Sequence, residues 1–195
     1  MKKAYLFLAT GFEETEAVGT LDVLRRGEVE VTTVSITGER TVTGAHGIPV
    51  VADRLFEDSD FSDADALILP GGGPGSQMLN GHEGLKKQLV RQYEQNKLVV
   101  AICAAPLVLG GLGLLQGKKA TCYPGVEPQL TGAILTGAPA VVDDNIITGK
   151  GPGLVFDFAL AVLTALQGAK TAGSIADDLL YSYSGFESKQ LENNS

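Results

Sequence analysis

Cys103 is the residue of this chain best suited to nucleophilic chemistry, because of the pattern around it. An apolar run over residues 98–102 leads directly into it, and Pro106 with a second apolar run follows. The pattern predicts a strand, a sharp turn and a helix, which hold the thiol above a sheet edge beside the unpaired N–H groups of a helix start. That position predicts a thiol pKa below its usual value. The alternative is a buried core cysteine, and this segment alone does not decide between the two.

Two further segments could supply chemistry beside that thiol. The glycine loop at residues 70–75 follows an apolar run, and with the N–H of Ala104 its backbone N–H groups would form an oxyanion hole. Taken alone, such a loop is more often a tight turn.

Glu13, Glu14 and Glu16 lie where the first strand becomes a helix, where acidic residues commonly complement the helix dipole. Glu16 begins the apolar helix face, so we expect it to turn inward, stay protonated through burial and donate a hydrogen bond to the thiolate.

The sequence gives weaker indications of a functional role for the two histidines and for the second cysteine. His46 lies in a glycine-flanked hairpin loop and could overhang a pocket, whereas His82 lies in a turn and is expected at the surface. No pair of residues has metal-ligand spacing, so we predict no metal. The glycine loop lacks the phosphate-loop pattern, and no dinucleotide fingerprint follows the first strand. Cys122 lies in a strand-like context and is expected to be inert.

The elements that would position these residues follow from the apolar runs. Buried parallel strands are predicted at residues 4–9, 29–36, 66–69 and 98–102, with helices at residues 16–26, 83–95 and 104–115. This alternation predicts an α/β fold with a doubly wound parallel sheet. Ligands in such sheets bind beyond the carboxyl ends of the strands, so the acidic loop, the glycine loop and the cysteine turn should converge there.

The rest of the chain extends this pattern. A hairpin is predicted at residues 41–52, short strands near 120–123, 140–142 and 145–148, and helices at 154–166 and 170–181. Pro152 and Gly153 precede the first of these two helices. We predict one domain over residues 1–181, followed by a polar tail at 182–195 that frays.

Composition limits the partners. The chain of 195 residues has a net charge of −8 and no basic cluster, which argues against nucleic acid and an anionic membrane surface and favours a small soluble ligand. No apolar run approaches the length of a membrane span. Two cysteines indicate a reducing compartment, and Glu13 follows the first apolar run too closely for a secretory signal, so we expect a cytoplasmic protein.

Four motifs together resemble the ThiJ/PfpI superfamily, and within it the branch of the Parkinson-disease protein DJ-one and bacterial YajL. They span nearly the whole chain and occur in the family's order, at residues 11–18, 69–72, 101–106 and 151–160. The resemblance implies a flavodoxin-like three-layer α/β sandwich that is usually homodimeric. It implies that Cys103 is an oxidisable nucleophile and Glu16 its hydrogen-bond partner. It also places Gly71, with the N–H groups of Gly72 and Ala104, around the substrate oxygen.

The sequence departs from the family at three positions. Tyr123 stands where the human-type branch has a histidine near the cysteine, a histidine that the bacterial branch also lacks. His46 replaces a hairpin arginine, and Lys150 is the remaining cation before the Gly-Pro-Gly motif that contains Pro152. These four residues are candidates for the substrate side of the site, and the absence of that histidine argues against a Cys-His mechanism through the usual partner. No histidine follows Cys103, which argues against a glutamine amidotransferase, and Ala104 stands where the protease branch has a histidine.

The resemblance therefore implies a cysteine enzyme without a cofactor. Its substrates would be small reactive aldehydes such as methylglyoxal, or glycated proteins that carry their adducts, as in a glyoxalase or deglycase linked to oxidative stress. The alternative is a redox sensor or chaperone-like protein whose Cys103 is oxidised to the sulfinate without turnover.

Overall fold

The structure, a computed structural model, describes residues 1–182. The strands are, in chain order, β1 (Lys3–Leu8), β2 (Glu30–Ser35), β3 (Thr41–Thr43), β4 (Pro49–Val51), β5 (Arg54–Leu55), β6 (Ala66–Leu69), β7 (Leu98–Ile102), β8 (Lys119–Ala120), β9 (Ile134–Leu135), β10 (Ala140–Asp143) and β11 (Ile146–Gly149). The helices are α1 (Glu14–Arg26), α2 (Gly73–Gly81), α3 (Glu83–Glu94), α4 (Pro106–Gly111), α5 (Val155–Gln167) and α6 (Ala169–Asp178). Short 3-10 turns lie at Glu127–Gln129 and Pro152–Leu154.

The central sheet has seven strands in the order β10-β11-β7-β6-β1-β2-β5. Neighbouring strands are parallel except for the β10–β11 hairpin. The runs of Val, Ile and Leu that predicted four strands correspond to β1, β2, β6 and β7, which suits strands covered on both faces. The predicted α/β fold with a mostly parallel sheet is confirmed.

Helices cover both faces of the sheet and give the molecule three layers. Side chains of β1 alternate in direction: Leu6 and Leu8 pack in the core with α1, α5 and α6, whereas Tyr5 and Phe7 pack in the core with α2, α3 and α4. Phe7 and Phe158, one in each core, are fully buried, and each such side chain contributes roughly 1.5–3 kcal/mol. The two cores fix the sheet between the two layers of helices.

Some predicted elements differ in extent. Helix α4 ends at Gly111 and not at residue 115, because Gly113 takes a left-handed φ of 74° and the N–H of Leu114 turns back to the carbonyl of Leu109. The strand predicted near residues 120–123 is the two-residue β8, which pairs with β9 outside the central sheet. The hairpin at residues 41–52 forms its own sheet of β3 and β4. The predicted tail lies outside the described residues apart from Ser182.

Strands β1, β6 and β7 are neighbours at the centre of the sheet, and this position creates the candidate site. They are parallel, so the segments after Leu8, Leu69 and Ile102 leave the sheet at one edge, as predicted. Among the residues described, no helix combines the length and apolar character needed to cross a membrane.

Candidate active site

Cys103 occupies a strained turn between β7 and α4. Its φ is 66°, a left-handed conformation that costs a non-glycine residue on the order of 1–3 kcal/mol. Two backbone hydrogen bonds hold the turn: the N–H of Cys103 donates to the carbonyl of Gly149 at 2.9 Å, and its carbonyl accepts from the N–H of Tyr123 at 2.8 Å. The predicted strand-turn-helix geometry is therefore present. Pro106 begins α4, where its missing N–H leaves no bond unmade.

Glu16 lies beside this thiol, as the sequence predicts. Its side chain is fully buried, and Oε2 accepts a hydrogen bond from the N–H of Gly71 at 2.8 Å. Oε1 has no hydrogen bond of ordinary geometry among the described residues, although the carboxyl interacts with the Cys103 thiol. A Cβ on Gly71 would lie 2.5 Å from both the Cβ of Cys103 and Oε2 of Glu16. Only a glycine leaves room for the carboxyl and the thiol to meet.

The pKa of Cys103 shifts in the direction opposite to the one predicted from the sequence. Burial raises the pKa of Glu16 to about 7. Burial, followed by the charge and hydrogen bond of Glu16, raises the pKa of Cys103 to about 12 instead of lowering it. A helix start contributes roughly 0.3–1 kcal/mol to an adjacent charge, whereas removing a charge from water costs several kcal/mol. Burial therefore outweighs the helix start.

Two backbone N–H groups oppose that effect. Hydrogen bonds from the N–H groups of Gly72 and Ala104 to the sulfur act to lower the pKa of Cys103. Gly72 has a φ of 90°, and a side chain there would overlap the carbonyl of Gly11. The glycine loop is thus more than a tight turn, because its conformation directs an N–H group toward the reactive atom. These two N–H groups are placed to stabilise negative charge on the sulfur or on an atom bonded to it.

His46 contacts two glutamates at the start of α1. Its ring Nδ1 lies 2.9 Å from Oε2 of Glu14 and 3.6 Å from Oε2 of Glu13, and its side chain is 69% exposed. Burial acts to raise the pKa of Glu14, but hydrogen bonds from the His46 ring and from backbone N–H groups lower it to about 2. Hydrogen bonding to Glu14 is the main cause that raises the pKa of His46. Sequence reasoning gave Glu14 only a helix-dipole role and missed this pairing.

The three remaining site residues predicted from the sequence are more exposed to solvent than Cys103. Tyr123 is about half exposed, and a Cβ on Gly151 would lie 3.3 Å from its ring. The ammonium of Lys150 donates to the carbonyl of Gly137 at 3.0 Å, so it is already engaged by backbone. Pro152 begins the 3-10 turn that precedes α5.

The other histidine and cysteine have structural surroundings. His82 is partly buried and not at the surface as predicted: its Nδ1 accepts from the N–H of Leu85 at 3.0 Å at the start of α3, and its ring packs against Phe56. Cys122 is buried, and burial raises the pKa of its thiol to about 11. Within residues 1–182, no backbone N–H group contributes to the pKa of Cys122, whereas two do so at Cys103.

The chain belongs to the DJ-1/PfpI family, whose model matches residues 2–165. Protein DJ-1 homolog B of Arabidopsis thaliana is 39% identical over 181 residues, which are 92% of this chain and 41% of that protein, so this chain spans less than half of that relative. The glutathione-independent glyoxalase DJR-1.2 of Caenorhabditis elegans is 34% identical, with 86% of this chain and 89% of that protein covered. A crystal structure of a C103A mutant of the DJ-1 superfamily protein STM1931 from Salmonella typhimurium matches with a TM-score of 0.89 and 38% identity, covering 93% of this chain and 99% of that one.

Proposed function

We propose that this protein is a cysteine enzyme that acts without a cofactor on small reactive aldehydes such as methylglyoxal, or on their protein adducts. The observation that carries the proposal is the contact of Glu16 with Cys103 across Gly71, with the carboxyl pKa raised to about 7 by burial. A carboxyl that titrates near the working pH is a good proton acceptor and donor. The relative named a glyoxalase supports the same chemistry.

The first step is addition of the thiol to the aldehyde. Sγ of Cys103 bonds to the carbonyl carbon while the thiol proton passes to Glu16, which gives a hemithioacetal. The charge that develops on the carbonyl oxygen is stabilised by the N–H groups of Gly72 and Ala104. Glu16 can then return its proton to that oxygen.

The later steps keep all electrons within the substrate. For methylglyoxal, the aldehyde carbon gives up its hydrogen as a proton and is oxidised to a thioester, while the adjacent ketone carbon is reduced to an alcohol and gains a proton. Glu16 is the group placed to carry these protons. Water then cleaves the thioester, releasing lactate and restoring the thiol, so the balance requires no external oxidant.

Lactate formation tests this proposal. We expect steady-state lactate production from methylglyoxal by the unaltered protein and none above background by Cys103→Ala. Cys122→Ala is the matched control, since Cys122 is equally buried but lacks the N–H donors, and it should retain activity. No lactate from the unaltered protein, or equal rates for Cys103→Ala, would reject the proposal for methylglyoxal.

A second candidate function is redox sensing. Oε1 of Glu16 has no hydrogen bond of ordinary geometry among the described residues, so a protonated Glu16 can donate a hydrogen bond to a sulfinate at Cys103. Two equivalents of peroxide would convert the thiol to the sulfinate, each peroxide being reduced to water. Mass spectra after mild peroxide should show two added oxygens on Cys103, with a different product distribution in Glu16→Gln. The same oxidation products in both proteins would remove Glu16 from this role.

A further inference from the structure

Glu13, Glu14 and His46, here called the acidic-hairpin cluster, bring together three donor atoms from two parts of the fold. The ring Nδ1 of His46 lies 2.9 Å from Glu14 and 3.6 Å from Glu13, and all three donor atoms lie within 4.8 Å of one another. Ligands at tetrahedral Zn²⁺ are separated by about 3.4 Å. The two distances from Nδ1 of His46 lie on either side of this value.

The Glu14 carboxylate is held in place by backbone. Its Oε1 accepts hydrogen bonds from the N–H of His46 at 2.7 Å and from the N–H of Ile48 at 3.4 Å. Gly44 packs against the same carboxyl so closely that any side chain there would overlap it. These contacts orient Oε2 toward the imidazole, as supporting hydrogen bonds orient the carboxylates of metal sites.

Glu13 is positioned in a similar way. Its Oε1 accepts from the N–H of Thr15 at 3.3 Å at the start of α1, and its Oε2 is the oxygen that faces His46. Its backbone N–H donates to the carbonyl of Gly71 at 2.9 Å, which fixes the segment to the glycine loop. In each glutamate, one carboxylate oxygen thus accepts a hydrogen bond from a backbone N–H, and the other faces His46.

The cluster has an excess of negative charge. Within residues 1–182, no lysine or arginine forms an ion pair with Glu13 or Glu14, and His46 is a cation only when protonated. Two glutamate oxygens and one imidazole nitrogen form a donor set that favours a divalent cation accepting both nitrogen and oxygen.

We propose that the acidic-hairpin cluster binds a divalent transition metal ion, Zn²⁺ above all, through Nδ1 of His46 and one oxygen each from Glu13 and Glu14. The ligands differ from the residues that carry the proposed aldehyde chemistry, so either assignment can fail without the other. Because His46 is exposed, the outward side of the ion would be open to water or to a small ligand. Ligand spacing in the sequence did not indicate this site, because one ligand comes from the hairpin loop, 32 residues from Glu14.

Zinc binding is best measured in a Cys103→Ala/Cys122→Ala background, because thiols bind Zn²⁺ themselves. By titration calorimetry at pH 7.5 we expect about one Zn²⁺ per chain, with affinity reduced at least ~10-fold by His46→Ala. His82→Asn is the matched control: it removes the other histidine, keeps a residue suited to the start of α3, and should bind as the background protein does.

NMR and thermal unfolding give two further measurements of whether Zn²⁺ binds at the acidic-hairpin cluster. Zn²⁺ should shift the ring nitrogen signals of His46 in NMR and leave those of His82 unchanged. It should also raise the melting temperature of the background protein but not that of the His46→Ala variant. Absence of Zn²⁺ binding, equal affinity in His46→Ala, or NMR shifts confined to His82 would overturn the proposal.

Discussion

The thiol of Cys103 and the carboxyl of Glu16 share a buried space that accommodates one negative charge far better than two. Like charges in contact separate the two titrations, so the pair loses its first proton near pH 7 and its second near pH 12. Between these two pH values the pair holds about one proton and one negative charge. The thiolate is present when that proton lies on Glu16, so a raised thiol pKa and a reactive thiol are compatible.

Alkylation of Cys103 should therefore follow the titration of the pair. We expect the iodoacetamide rate at Cys103 to rise about tenfold per pH unit below pH 7 and to level off above it. In Glu16→Gln this transition near pH 7 should disappear, because an amide cannot accept the thiol proton. Peptide mass mapping measures the rate, with Cys122 as internal control. Equal labelling of both thiols, or an unchanged profile in Glu16→Gln, would contradict this prediction.

The same carboxyl should make stability depend on pH. The pKa of Glu16 is about 7 in the folded protein against a reference of 4.5, so the folded state binds more protons between these values. The free energy of unfolding should thus fall as pH rises from 4.5 to 7, by up to about 3 kcal/mol. Glu16→Gln lacks this loss and should gain stability relative to the unaltered protein between pH 5 and pH 8. Urea unfolding at several pH values measures the difference, and a difference independent of pH would refute it.

At the scale of elements, the glycine loop after β6 sets the distance between the nucleophile and its base. A methyl group on Gly71 would overlap both side chains, so Gly71→Ala should destabilise the fold by roughly 1–3 kcal/mol and lower lactate formation on the order of 100-fold. Gly73→Ala is the matched control, because a Cβ there meets nothing within 4 Å. Activity per folded molecule, with folding followed by circular dichroism, gives the comparison. Equal activities of the two variants would show that the spacing is not critical.

Much of this arrangement could be predicted from sequence because it rests on local pattern. The apolar runs indicated the central strands. The rule that ligands bind at the carboxyl ends of parallel strands predicted that the segments containing Glu16, Gly71 and Cys103 lie close together. The contact of His46 with Glu14 could not be predicted, because it depends on how the β3–β4 hairpin packs against α1. The direction of the Cys103 pKa was wrong, since the local pattern showed the helix start and not the depth of burial.

For the whole molecule, we predict a homodimer. The family resemblance implies a homodimer, and closed two-fold pairing is the commonest assembly of soluble proteins. Exposed apolar side chains at Val18 on α1 and at Ile48 and Val51 on the hairpin suit such an interface. Light scattering at micromolar concentration should report twice the mass of 20.3 kDa. A monomer would contradict the prediction.

The most direct test of the central claim is the rate of lactate formation from methylglyoxal by Glu16→Gln at one neutral pH. If Glu16 moves the proton for Cys103, the rate should fall at least ~100-fold, the usual effect of removing a general acid or base. Tyr123→Phe should lose only a few-fold, because Tyr123 positions the turn through its backbone N–H. A Glu16→Gln rate close to that of the unaltered protein, with His46→Ala inactive instead, would assign the proton transfer to the hairpin histidine and contradict the account.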